Sequence, residues 1–225
     1  VEKNMNVKLI SYSRNDENKN LLEQIAYVAR VSNPSNQNND STAEKLVRYL
    51  IKHNHWSPFE MVSVCLEINT TRDIARQILR HRSFSFQEFS QRYAVADNGF
   101  LLKEARKQDD KNRQNSKELD LSNDEERILA YQWQSMQNRV ITECENAYKW
   151  AIDKGIAKEQ ARAVLPEGIT LSKLYMSGTL RSWIHYIQLR SSNGTQKEHR
   201  EIAIECAKVI ETIFPMAKEF IQESV

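Results

Sequence analysis

Two periods of apolar residues run through this chain. Val62, Val64, Leu66 and Ile68 alternate with Ser63, Cys65, Glu67 and Asn69, which predicts a half-buried strand, and residues 7–12 form a second β-prone run. A helical period takes over at Leu21, Leu22, Ile25, Val28 and Ala29, predicting a helix over 21–31 that Asn33-Pro34 stops. Ser41 with Glu44 reads as a capping box for a helix whose inner stripe is Leu46, Val47, Leu50 and Ile51. The chain then loops through His53-Asn54-His55-Trp56-Ser57-Pro58, where the proline disfavours a helical residue before it.

Ser122 with Glu125 reads as a second box, opening a long helix that ends at Gly155. Its stripe of Leu129, Trp133, Met136, Val140, Cys144, Ala147 and Ala151 is expected to be core or a helix–helix contact. Residues 158–164 predict a short helix, 169–176 a strand or extended turn, and 179–189 a helix with Leu180, Trp183, Ile184 and Ile187 inward. Thr195 with Glu198 is expected to cap a last helix that buries Ile202, Cys206, Val209 and Ile213 before Pro215. Between the two halves, residues 97–120 are polar after Leu102 and read as an exposed connection with room to move.

With 225 residues the chain fits a single domain, 1–225, and has the length to bury a real core. Its charged residues, 28% of the total, cancel to a formal +2, so there is no global basic field for non-specific nucleic-acid binding and any anion recognition must be local. No apolar run reaches membrane-spanning length and no signal peptide is evident, so a cytoplasmic setting without membrane contact is expected. Cys65, Cys144 and Cys206 are odd in number and widely spaced, which argues against disulfides. The pair His53 and His55 has no acidic or cysteine partners nearby, so no metal is expected.

The chemistry concentrates in residues 77–93. Arg72, Arg76 and Arg80 recur every four residues, and on one helix they would form a ridge of like charge that calls for an anion across it. Arg80-His81-Arg82 closes that helix, and Ser83 to Phe89 then alternates polar and aromatic residues. On the tripeptide alone, a helix C-terminus that attracts cations is an equal explanation. Glu88, Ser85, Ser90 and Arg92 add acceptors, hydroxyls and a planar fork suited to phosphate.

The signature of R-H-R, seven intervening residues and Ser90, with Gln77 upstream and Glu88 and Arg92 in step, resembles that of the flavin-dependent thymidylate synthases. The likeness extends to His55-Trp56-Ser57-Pro58-Phe59-Glu60 and to an arginine-rich segment between Arg162 and Arg190. It implies an α+β fold, with an antiparallel sheet and long packed helices, and a homotetramer whose sites draw residues from several subunits. It also implies an enzyme that converts dUMP to dTMP, with methylenetetrahydrofolate as carbon donor, FAD as hydride carrier and NADPH as reductant. Matched residue by residue, Gln77, Arg80, Glu88, Phe89, Ser90, Gln91, Arg92 and Arg162 would surround the nucleotide. Arg190 would be catalytic, stabilising negative charge on the uracil ring.

For FAD the matching positions are Ser57, Arg80, His81, Arg82, Glu88, Thr179, Arg181 and His185, with His55 beside flavin and folate. No Gly-x-Gly-x-x-Gly occurs, so this would not be a Rossmann site. Thr179 stands where the family commonly has asparagine, and Gly194 to His199 replaces a more apolar run. Two other readings remain open at this level. One is a single-stranded nucleic-acid module stacking bases on Phe84, Phe86 and Phe89, and the other is a non-catalytic helical scaffold.

Overall fold

A computed structural model of the chain describes residues 5–97 and 99–222. Its centre is an antiparallel sheet of β1 (Asn6–Tyr12), β2 (Ser63–Thr71), β6 (Leu171–Thr179) and β3 (Ser85–Glu88), in the order β1-β2-β6-β3. The alternation around Val62 becomes the nine-residue pairing of β2 with β6, in register from Ser63 opposite Thr179 to Thr71 opposite Leu171. The odd positions of β2 carry a polar surface, where Tyr175 Oη donates to Glu67 at 2.9 Å, while Val64, Leu66 and Ile68 face the core.

Around the sheet lie α1 (Leu21–Ala29), α2 (Ala43–Lys52), α3 (Arg72–Ile78), α6 (Leu180–Arg190) and α7 (Lys197–Glu211). Leu21, Ile25, Val47, Phe59, Leu66, Trp183, Ile187, Ile202 and Cys206 belong to one continuous core. The architecture is therefore α+β with an antiparallel sheet and packed helices, as the resemblance implies.

The helix starts differ from those read in the sequence. Before α2 the chain makes a 3-10 turn at Asp40–Thr42, and Glu44 bonds Arg48 instead of reaching back to a cap. Asn123, not Ser122, caps α4 (Asp124–Asp153) by accepting from the backbone of Glu125 and Glu126, and the short α5 (Lys158–Ala161) follows it. Gln196 precedes α7 without a side-chain cap, because Glu198 is committed to Arg106. A capping box does form at α1, where Asn20 and Glu23 exchange hydrogen bonds.

Residues 97–120 are less featureless than their composition suggests. Phe100 bridges to Thr170, and β4 (Arg106–Gln108) and β5 (Ser116–Glu118) form a small hairpin. Lys103 anchors the approach to it, with its backbone N–H on Gln137 Oε1 at 2.8 Å and its ammonium on Thr71 Oγ1 at 2.9 Å. Only the end of the α4 stripe is core among the described residues: Leu129, Trp133, Met136 and Val140 are all 43–54% exposed, whereas Cys144 and Ala147 are half-buried and Ala151 is buried in a small cluster with Tyr148 and Ala161.

Candidate active site

Strand β2 runs straight into α3, and α3 stops at Ile78, so Arg80, His81 and Arg82 lie in the turn that leads to β3. The three-arginine ridge does not form, since Arg80 falls beyond the helix, and protein carboxylates supply the anion that the other two arginines call for. Arg72 is buried against Glu88, 3.4 Å away, and Arg76 makes a two-pronged contact with Glu167. Glu88 also accepts from Ser172 Oγ at 2.8 Å, which fixes its carboxylate at the end of β3. Nothing in the local spacing reveals Glu167 as the partner of Arg76, because it lies 91 positions further along the chain.

The turn is held down by Phe84, whose ring packs edge-on against Trp183 with centroids 4.9 Å apart. Gly178 on β6 makes room for it: a Cβ there would lie 2.4 Å from Cδ1 of Phe84. Phe84 is thus buried and Phe86 half-buried, which removes stacking faces that a nucleic-acid module would need.

The turn and the distant arginine-rich segment meet directly. Arg190, in the last turn of α6, donates from Nε to Nε2 of His81 at 2.9 Å. A guanidinium only donates, so His81 accepts at Nε2 and is neutral. Burial pushes the His81 pKa down to about 4, assisted by the charges of Arg190, His185 and Arg80. His81 also sits edge-on to Tyr186, and behind it His199 is fully buried, 3.1 Å from both Tyr186 Oη and Gln77 Oε1. Burial and then Arg190 push His199 down to about 3.

A second group of matched residues gathers nearby on the chain surface. Arg92 lies 3.6 Å from Glu159, whose backbone carbonyl accepts from Arg162 Nε at 3.3 Å. Gln91 is buried, Phe89 continues the β3 pairing through its N–H to Lys173, and Ser90 is half-buried. At the start of α6, Thr179 caps the helix by accepting from Ser182 N at 3.2 Å and donates to Glu60 at 2.6 Å. Glu60 also meets Arg181 at 3.7 Å, and Arg181 lies over Trp56, so the 3-10 turn Ser57–Met61 and the first turn of α6 form one patch. His55 is exposed beside Tyr49 and His53, with ring centroids 6.2 and 6.1 Å away.

Comparison with known proteins bears on this arrangement. Residues 8–216 match the family described as thymidylate synthase complementing protein. A probable flavin-dependent thymidylate synthase of Paramecium bursaria Chlorella virus 1 is 49% identical over 94% of this chain and 96% of its own length. A flavin-dependent thymidylate synthase of Synechocystis is 51% identical over 85% of each chain. The chain belongs to the flavin-dependent thymidylate synthase family. Among solved structures, a UMP/dUMP methylase from Streptomyces cacaoi bound with 5-Br UMP superposes with a TM-score of 0.78 at 25% identity, covering 96% of this chain and 92% of that one.

For a flavin-dependent thymidylate synthase the donor set suits an anionic cofactor. Arg80 and Arg82 are exposed, and neither pairs with a carboxylate among the described residues. The thiols, by contrast, are poorly suited to attack a pyrimidine. Burial raises the pKa of Cys65, Cys144 and Cys206, most strongly at the fully buried Cys206. A cavity of about 560 Å³ opens between the β4–β5 hairpin and α4, and it reaches Arg106, Trp133 and Gln196. Among the described residues no helix is long and apolar enough to cross a membrane.

Proposed function

We propose that this protein methylates dUMP at carbon 5 to give dTMP, with methylenetetrahydrofolate as carbon donor, FAD as resident cofactor and NADPH as reductant. The observation that carries the reading is the contact of Arg190 with His81, which joins the signature turn to α6 over 109 positions of sequence. When bound, the reduced flavin supplies the hydride; the chain's own groups bind, orient and neutralise. Neutral His81 holds the Arg190 guanidinium through Nε, and the two terminal amino groups of Arg190 have no hydrogen-bond partner among the described residues. Those groups carry a charge that does not depend on pH, and they stabilise negative charge on the uracil ring.

Gln77, Arg80, Glu88, Phe89, Ser90, Gln91, Arg92 and Arg162 form the nucleotide site. Here Arg92 and Arg162 serve as exchangeable cations that leave Glu159 for a phosphate. Ser57, Arg80, His81, Arg82, Glu88, Thr179, Arg181 and His185 hold FAD, and His55 lies at the meeting of flavin and folate. Thr179 contributes mainly by fixing the first turn of α6, and hence Arg181, since its hydroxyl is occupied by Ser182 and Glu60. A cytosolic homotetramer accompanies this reading. The uncovered stripe of α4 supports assembly, because four large apolar side chains on one helix face favour burial.

The deciding experiment is anaerobic. The protein is loaded with FAD, reduced, and mixed with dUMP and methylenetetrahydrofolate while flavin absorbance and dTMP are followed. Reoxidation coupled to dTMP is expected only when both substrates are present. A sample that never takes up flavin, yet binds oligonucleotide with steep salt dependence, would overturn the reading.

A further inference from the structure

Behind the candidate nucleotide site runs a chain of hydrogen bonds, half-buried along most of its length and buried at His199 and Tyr186, whose direction is fixed at one end. Arg106 of the hairpin donates to Glu198, and the two side chains are only 12% and 9% exposed. A carboxylate can only accept, so Gln196 turns its amide nitrogen toward Glu198, at 2.9 Å. Its oxygen therefore faces Gln77 and accepts from Gln77 Nε2 at 2.8 Å. That leaves the Gln77 oxygen toward His199 Nδ1, at 3.1 Å, which must carry the proton, and His199 Nε2 accepts from the Tyr186 hydroxyl, also at 3.1 Å. Each assignment follows from the one before it.

We propose that Glu198, anchored by Arg106, and His199 are positioning residues that lock the amide of Gln77 in one orientation, so that its remaining N–H faces an acceptor oxygen of the bound nucleotide. Gln77 is half-buried, so one edge of its amide remains reachable while the other edge is spent on Gln196 and His199. A glutamine free to flip would present oxygen or nitrogen to the ligand indifferently, and half of its bound encounters would set two acceptors against each other. Both ends of the chain resist reversal. Burial would raise the Glu198 carboxyl, but Arg106, its own backbone N–H and Gln196 outweigh this and keep it ionised. At the other end, the buried imidazole of His199 stays neutral and keeps a single proton to place. The arrangement also ties the β4–β5 hairpin, and the cavity lined by Arg106 and Gln196, to a residue of α3.

This inference rests on the reading of Gln77 as a nucleotide contact, and the test separates the two. Nucleotide affinity is measured by titrating dUMP into the FAD-loaded protein, with FAD affinity and thermal midpoint recorded for each variant. Gln77→Ala, Glu198→Gln and His199→Leu are each expected to weaken dUMP binding about threefold to tenfold, the scale of one hydrogen bond, with FAD affinity held within about twofold. His199→Asn is expected to recover most of that loss, because its amide N–H replaces Nδ1–H. In turnover, Glu198→Gln should raise KM for dUMP and leave kcat nearly in place.

Parental dUMP affinity in Glu198→Gln, with Gln77→Ala weakened, would overturn the orienting chain. Equal losses in His199→Asn and His199→Leu would do the same. Parental affinity in Gln77→Ala would overturn the nucleotide contact itself. If His199→Leu does not fold, Glu198→Gln, which keeps the side-chain shape, decides the matter alone.

Discussion

Arginine is used in two ways within this chain, and the contrast lies in what surrounds it. At the end of α6, Arg190 bonds a half-buried neutral imidazole, with Tyr186 and His199 packed behind. Toward β3 and residues 158–167, Arg76 and Arg92 meet Glu167 and Glu159 with every partner between 46% and 63% exposed. Water screens the outer pairs, so either carboxylate can be parted from its arginine at little cost. The inner contact keeps its geometry because removing either group leaves a desolvated partner without a hydrogen bond. In the proposed function, binding and release of the phosphate fall to the outer Arg92, and orientation of the uracil ring to the inner Arg190.

If that division holds, Arg190→Ala should have the largest effect of any single change. Turnover is expected to fall by about a hundredfold or more, the scale of losing one preorganised charge-stabilising group, while FAD binding persists. Near-normal turnover in a folded Arg190→Ala variant would erase the distinction. Next in size is Gly178→Ala, which pushes a methyl group into Phe84 and loosens the turn that carries His81. A loss of about 1 to 3 kcal/mol of stability is expected, read from urea unfolding.

Acid should expose the inner region next. His81 and His199 are held at about 4 and about 3, below the ordinary 6.5, so the unfolded chain takes up protons before the folded one. Their contribution is complete above about pH 6.5 and is lost progressively as pH falls, toward 4 for His81 and toward 3 for His199. The urea midpoint should therefore decline over that window, and His199→Asn should flatten the decline; an unchanged slope in that variant would count against a buried neutral His199. Smallest of all, Arg76→Ala should shift stability by about 1 kcal/mol or less, with the difference shrinking in high salt.

Much of this was legible in the sequence. The alternation at Val62 to Ile68 predicts β2, the spacing of Leu180, Trp183, Ile184 and Ile187 predicts α6, and both depend on periods that burial enforces. Caps were less legible. Ser41, Ser122 and Thr195 each precede a glutamate by three residues, yet the chain uses a 3-10 turn, a neighbouring asparagine and an ion pair to Arg106 in their place. At such positions a single tertiary contact outweighs a local preference.

For the site, the signature draws attention to His81 and Arg190 and the ridge to Arg72, but nothing points to Glu167, Tyr186 and His199, whose partners lie 13 to 122 positions away. A buried histidine among apolar residues carries no period of its own. The first half of the α4 stripe shows the converse, a clear period that no described residue of the chain covers.

That stripe has an optical consequence. Trp133 and Trp150 stand 44% and 59% exposed on α4, whereas Trp183 is sealed in the interior. Ultraviolet-excited emission from the dispersed chain therefore mixes a water-relaxed red component with a blue one. Dilution through any association equilibrium that covers α4 would be visible as a change in their proportion, without a label attached.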